Sequence, residues 1–189
     1  MCFTFGNVWR SILIIVGTAL TWDVIFDLNS WLFSQFSLSE RVHWIFLPAA
    51  FRIIFVLLFQ GRGAVGLIFG AYLTQSQQTL NELPNEMLLS ISSGLAPLVA
   101  VVFCQRFFTI NNNLAGLNGW HIIALSVASA AANTVILNAI LYLMGRQAAD
   151  LESIEAVFVG DVLGAAIVIT AISLTLSGVL TLMKRTRQS

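Results

Sequence analysis

The stretch from His43 to Phe59 constrains this chain more than any other, because it is a nearly continuous apolar run with Arg52 inside it and Pro48 one turn earlier. An ionised side chain at membrane depth costs roughly 3 kcal/mol on insertion scales, so it faces a partner or a water-filled cavity. Arg52 therefore calls for a carboxylate. With only nine Asp and Glu in 189 residues, the candidates can be examined one by one.

Composition sets the class. Hydrophobic residues make up 58% of the chain and charged residues 10%, with a mean hydropathy of +0.87. An average soluble domain carries roughly 25% charged residues. The expected fold is an all-α integral membrane protein, a single domain of about six transmembrane helices embedded in a lipid bilayer. Nine basic residues against nine acidic ones leave no net charge, and the basic residues are scattered, which argues against a nucleic-acid surface. Two cysteines, Cys2 and Cys104, and two histidines offer no metal-ligand spacing, so neither a metal nor a cofactor is expected. No nucleophile elbow, phosphate loop or metal motif is present, and an enzyme is not expected.

Hydropathy and turn signals divide the chain into spans at about 8–27, 43–60, 64–80, 87–106, 119–144 and 156–182. Between the first two, Leu28 to Val42 reads as an amphipathic connection, either a short interfacial helix or a loop with aromatic anchors. Gln60-Gly61-Arg62-Gly63 reads as a tight turn that makes the third span the antiparallel neighbour of the second. Polar residues Thr74 to Gln78 end the third span, and Asn81 to Glu86 read as a turn and a helix start. Pro97 is expected to bend the fourth span. Asn111 to Asn113 and Gly116 form a loop before the fifth, and Arg146, Asp150, Glu152 and Glu155 a polar loop before the sixth.

Basic residues orient the bundle, because cytoplasmic loops retain an excess of Lys and Arg. With the N-terminus inside, Arg10, Arg62, Arg106, Lys184, Arg185 and Arg187 fall on the cytoplasmic side and only Arg41 and Arg146 outside. Both termini are then cytoplasmic, in a bacterial inner membrane. At 1.5 Å per helical residue, Arg52 lies roughly 12 to 14 Å below the outer face and Asp161 roughly 8 Å. Asp23 lies near the outer end of the first span, and Asn138 at a height like that of Asp161. These four residues form the candidate layer, either a ligand site or an ion pair that fixes register. Arg52 with Asp161 is the first pairing and Asp23 the alternative. Asn133 and Asn138, five residues apart, point to different faces. Gly66 with Gly70, and Gly160 with Gly164, have the four-residue spacing of close helix packing, and exposed glycine faces could also support a homo-oligomer.

Leu47-Pro48-Ala49-Ala50-Phe51-Arg52, followed by Leu57-Leu58-Phe59 and Gly66-Leu67-Ile68-Phe69-Gly70-Ala71, resembles the early block of the bacterial MASE1 integral membrane sensory domain. Val159-Gly160-Asp161-Val162-Leu163-Gly164 resembles that family's glycine-aspartate signature in a late helix. Ala50 stands where the family often has glycine, and the usual domain is longer, commonly with eight helices. The resemblance implies a shortened, stand-alone sensory module. It would signal through a separate membrane or cytoplasmic partner protein, with a structural component of a larger assembly or a small-solute transporter as alternatives.

Overall fold

The computed structural model describes residues 5–39, 42–76, 83–107, 119–145 and 151–186. Cys2, Glu40, Arg41, Gln77, Gln78, Asn81, Glu82, the loop around Asn111 to Asn113 with Gly116, Arg146, Asp150 and Arg187 lie outside the described residues. The fold is all-helical apart from one small strand pair: α1 Phe5–Phe33, α2 Pro48–Phe59, α3 Gly61–Ser76, α4 Leu83–Phe107, α5 Gly119–Leu143 and α6 Leu151–Thr186. Between α1 and α2 the chain makes a 3-10 turn, Ser34–Phe36. It then forms two short antiparallel strands, β1 Ser37–Ser39 and β2 Val42–His43.

Four stretches are long and apolar enough to cross a membrane: Val8–Phe33, Glu86–Phe107, Gly119–Leu143 and Leu151–Ile172. Four boundaries differ from the expectation. α3 starts at Gly61, so Gly61 to Gly63 belong to the helix and Gln60 alone makes the turn. α1 runs on through Phe33, so Asp23 and Asp27 lie within it and Trp31 still belongs to it. α6 starts at Leu151, which turns Glu152 and Glu155 from loop residues into its first turns. α2 has only 12 residues and begins at Pro48, after Trp44 to Phe46 run without regular structure. Proline suits the first helical turn because its missing N–H would have no helical partner there.

A helix that begins inside a bundle needs partners within the fold for its first backbone donors. The chain does this one residue at a time. The Phe46 N–H donates to the Gly160 carbonyl at 3.1 Å, and the Leu47 N–H donates to Oδ1 of the fully buried Asn29 at 2.9 Å. Pro48 has no N–H, and Ala49 and Ala50 donate back to Phe46 and Leu47.

Register follows from side-chain neighbours. Gly66 of α3 faces Ile15 and Thr18 of α1, and Gly70 faces Ala19 and Trp22, so α1 and α3 run parallel. α2 descends with α6, from Phe46 beside Gly160 to Ala50 beside Ala165 and Val168. It runs against α1, with Leu47 at Asn29 and Arg52 at Trp22. α1, α3, α4, α5 and α6 pack in that sequence around α2, which touches every other helix. Gln60 breaks α2 from α3 with a φ of 51°, and Gly63 then lies so close to the Phe55 carbonyl that a Cβ there would overlap it. The core beneath is Ile53, Val56, Leu67, Val101, Cys104 and Leu125.

Candidate functional site: a buried ion pair at the head of α2

Arg52 lies in the second turn of α2, where the helix faces α6 and α1. Its Nη2 donates to Asp161 Oδ1 at 2.6 Å, and both residues are almost fully buried, at 3% and 5% exposure. Asp161 Oδ2 accepts a second bond, from Asn133 Nδ2 on α5, at 2.9 Å. The carboxylate thus joins α2, α5 and α6. A buried charge is tolerated only when paired and hydrogen-bonded, and both oxygens of Asp161 are engaged.

Aromatic rings cover the remaining faces of the guanidinium. Its carbon lies 5.1 Å from the Phe46 ring centroid and 5.8 Å from that of Trp22. Trp22, Phe26 and Phe46 contact one another in turn, with centroids 6.1 to 6.4 Å apart. Cation–π attraction strengthens in such desolvated surroundings, to about 2 kcal/mol. Among the described residues, Arg52 Nε and Trp22 Nε1 are buried without a hydrogen-bond partner.

Two of the four residues expected in the layer, Arg52 and Asp161, are brought together here. Asp23 is half-buried on α1 and makes no ion pair with Arg52 among the described residues. Asn138 does not reach the layer: its Nδ2 donates to the Thr134 carbonyl of its own helix at 2.9 Å. Asn133 takes that place. Ser126, Ser129, Ala130 and Asn133, all buried, recur at the three- and four-residue intervals of one helix face, and that stripe is the sequence signal for Asn133. Asn138 lies about 140° further round the helix, off this stripe.

The glycine pairs divide. Gly66 and Gly70 line the helix-to-helix seam of α1 and α3. The nearest neighbours of Gly164 are backbone atoms of Phe46 and Leu47: a Cβ there would overlap the Phe46 carbonyl, in the irregular run just ahead of α2. Gly160 contributes its carbonyl to the same run.

Fold and site together define a helical bundle suited to a lipid bilayer, with a charged clamp at its centre. Compared with known proteins, the chain matches no family model, no curated protein and no solved structure.

Proposed function

We propose that the chain is a non-enzymatic membrane module, sensory or ligand-binding, that acts through a separate partner protein. The observation that carries this reading is the clamp of Arg52, Asp161 and Asn133, which ties a short, centrally placed helix to two others. A ligand or ion that competes for Asp161 or Arg52 would free α2, and α2 contacts every other helix. The two stretches that resemble MASE1 sensory domains meet in this clamp, one supplying Arg52 and the other Asp161.

The proposed setting is a bacterial inner membrane with six membrane segments and both termini cytoplasmic. Support comes from two sources. Trp9 and Trp31 on α1, and Trp120 and Tyr142 on α5, are exposed, and each pair is 22 residues apart. That is roughly 33 Å, the spacing of aromatic belts at the two faces of a bilayer. Arg10, Arg62 and Arg106 are exposed at the end of the bundle that carries Trp9 and Trp120, in keeping with a cytoplasmic excess of basic residues. On this scale the clamp is roughly 14 Å from the outer belt and roughly 20 Å from the inner one.

A structural role in a larger membrane assembly is the second reading, favoured by the enclosure of the ion pair at 3% and 6% side-chain exposure. Gentle copurification from native membranes, with mass spectrometry of proteins and small molecules, tests the proposal. A stoichiometric partner bearing a kinase, cyclase or similar soluble domain is the expected result. Recovery of the chain alone, together with Arg52-dependent solute flux in liposomes, would replace it with a transporter.

A further inference from the structure

α1 stands at one end of the row of helices around α2, and it is the least covered of the four long spans. In its most apolar stretch 17% of the residues are buried, against 28% to 56% in the other three. Its covered side carries Thr18, Ala19, Trp22 and Asn29, which meet α3 and the head of α2. On another side Trp9, Leu13, Val16, Leu20, Asp23 and Asp27 follow one another at alternating intervals of four and three residues. That is the spacing of a seam that keeps one face toward a partner helix, and from Trp9 to Asp27 it is roughly 27 Å long. All six are exposed except Asp23, which is half-buried, and a Cβ added at Gly17, beside Val16, would meet nothing within 4 Å.

The two acids set this face apart from one that meets only lipid. Asp27 lies four residues from Trp31 and Asp23 eight, so they are roughly 6 and 12 Å deeper than the ring at that end of the bundle. Asp23 is thus near the height of the clamp, where Arg52 is already taken by Asp161. Among the described residues neither Asp23 nor Asp27 has an ion-pair or side-chain hydrogen-bond partner. A carboxylate at such depth calls for a cation, as Arg52 called for an anion. A second copy in the same orientation does not bring one from the described residues. Arg10, Arg62 and Arg106 are exposed at the opposite end, Lys184 and Arg185 belong to the last turn of α6, and Arg52 is enclosed.

We propose that the face of α1 bearing Asp23 and Asp27 is the docking surface for a transmembrane helix of a different protein, one that carries a lysine or arginine at the depth of these two acids. The proposal deepens the sensory reading and rests on it for the existence of a partner. It adds where the partner sits and which charge it brings. Because Trp22 covers the Arg52 guanidinium from the inner side of the same helix, a docked partner lies about one helix diameter, roughly 10 Å, from the clamp.

The full chain, reconstituted in neutral phosphatidylcholine vesicles, is titrated with dansyl-labelled leucine–alanine helices of about 23 residues, long enough to span the bilayer. These carry lysine, leucine or glutamate at the same position, about eight residues from one end, to match the depth of Asp23. Energy transfer from the protein's tryptophans reads association. The lysine helix is expected to bind about tenfold more tightly than the leucine helix, the scale that polar contacts between membrane helices reach, and the glutamate helix no better than the leucine one. Asp23→Asn combined with Asp27→Asn is expected to remove the lysine preference and leave binding of the leucine helix unchanged, with circular dichroism checking that the variant keeps its helices. Equal binding of the lysine and leucine helices by the unaltered chain, or a lysine preference that survives the double substitution, would overturn the proposal. So would a dimer of the unaltered chain that Val16→Trp dissociates, since the face would then pair two copies. The probe helices need no native partner, so this test and the copurification fail separately: a chain recovered alone argues against the partner, and an absent lysine preference against this face.

Discussion

Two glycine pairs with the same four-residue spacing do different work in this molecule. At Gly66 and Gly70, α3 lies against α1 helix to helix, and an added Cβ would meet the Thr18 Cβ at 2.6 Å and the Ile15 carbonyl at 2.8 Å in the first case, and the Ala19 carbonyl and Trp22 Cβ, both at 2.9 Å, in the second. At Gly160 and Gly164, α6 receives a stretch of irregular backbone, with the Phe46 N–H bonded to one glycine and its carbonyl pressed on the other. The first contact is a seam between two regular helices, with neighbours 2.6 to 3.0 Å from an added Cβ. The second is pinned by hydrogen bonds on both sides of Phe46. Small residues in a membrane helix thus mark close approach, and only the neighbour decides whether the approach tolerates adjustment.

The largest expected effect is at the pinned contact. Asp161→Ala leaves Arg52 buried without its anion and is predicted to lower stability by about 3–5 kcal/mol, read as the unfolding midpoint in mixed micelles. Replacing both charges, Arg52→Met with Asp161→Leu, is predicted to cost less than either single change. A double variant as unstable as the singles would show that the pair contributes more than mutual neutralisation. Asn133→Ala, which removes a neutral donor from a charged acceptor, is predicted to cost about 1.5–3 kcal/mol, and Asn138→Ala about 0.5 kcal/mol or less. Equal losses for the two asparagines would undo the assignment of Asn133 to the clamp.

Next come the glycines. Overpacking by one methyl group costs about 1–3 kcal/mol, and Gly164→Ala is predicted to fall at the upper end and Gly66→Ala at the lower. The reverse order would mean that the α1–α3 seam is the more rigid contact. Of similar size to the glycine changes is Asn29→Leu, predicted to cost about 1–3 kcal/mol by stranding the Leu47 N–H, with some of the loss recovered because Asn29 Nδ2 is itself buried without a partner among the described residues. No loss at all would show that the head of α2 takes its hydrogen bonds elsewhere.

Much of this was legible in the residues. Long apolar runs defined α1, α4, α5 and α6, and the rarity of carboxylates pointed from Arg52 to Asp161. Depth is not set by helical rise alone. Trp44 to Phe46 are irregular, so Arg52 reaches its level over fewer residues, and the earlier start of α6 lowers Asp161 to about 15 Å from Leu151. Helical phase, more than height, separates Asn133 from Asn138. Asn29 could not be found from any local pattern, because its role is to accept from a backbone N–H on a segment 18 residues away that is not helical.

The brevity of α2 bears on how such a chain is made. Twelve residues with an arginine among them make a poor substrate for one-at-a-time insertion, which favours about 20 apolar residues per span. The carboxylate that neutralises Arg52 is synthesised 109 residues later. A nascent chain interrupted before α6 carries an uncompensated cation on a helix too short to hold it across the bilayer. α6, made well after α2, therefore completes the seating of the shorter helix, and the bundle can close around α2 only once α6 has been synthesised.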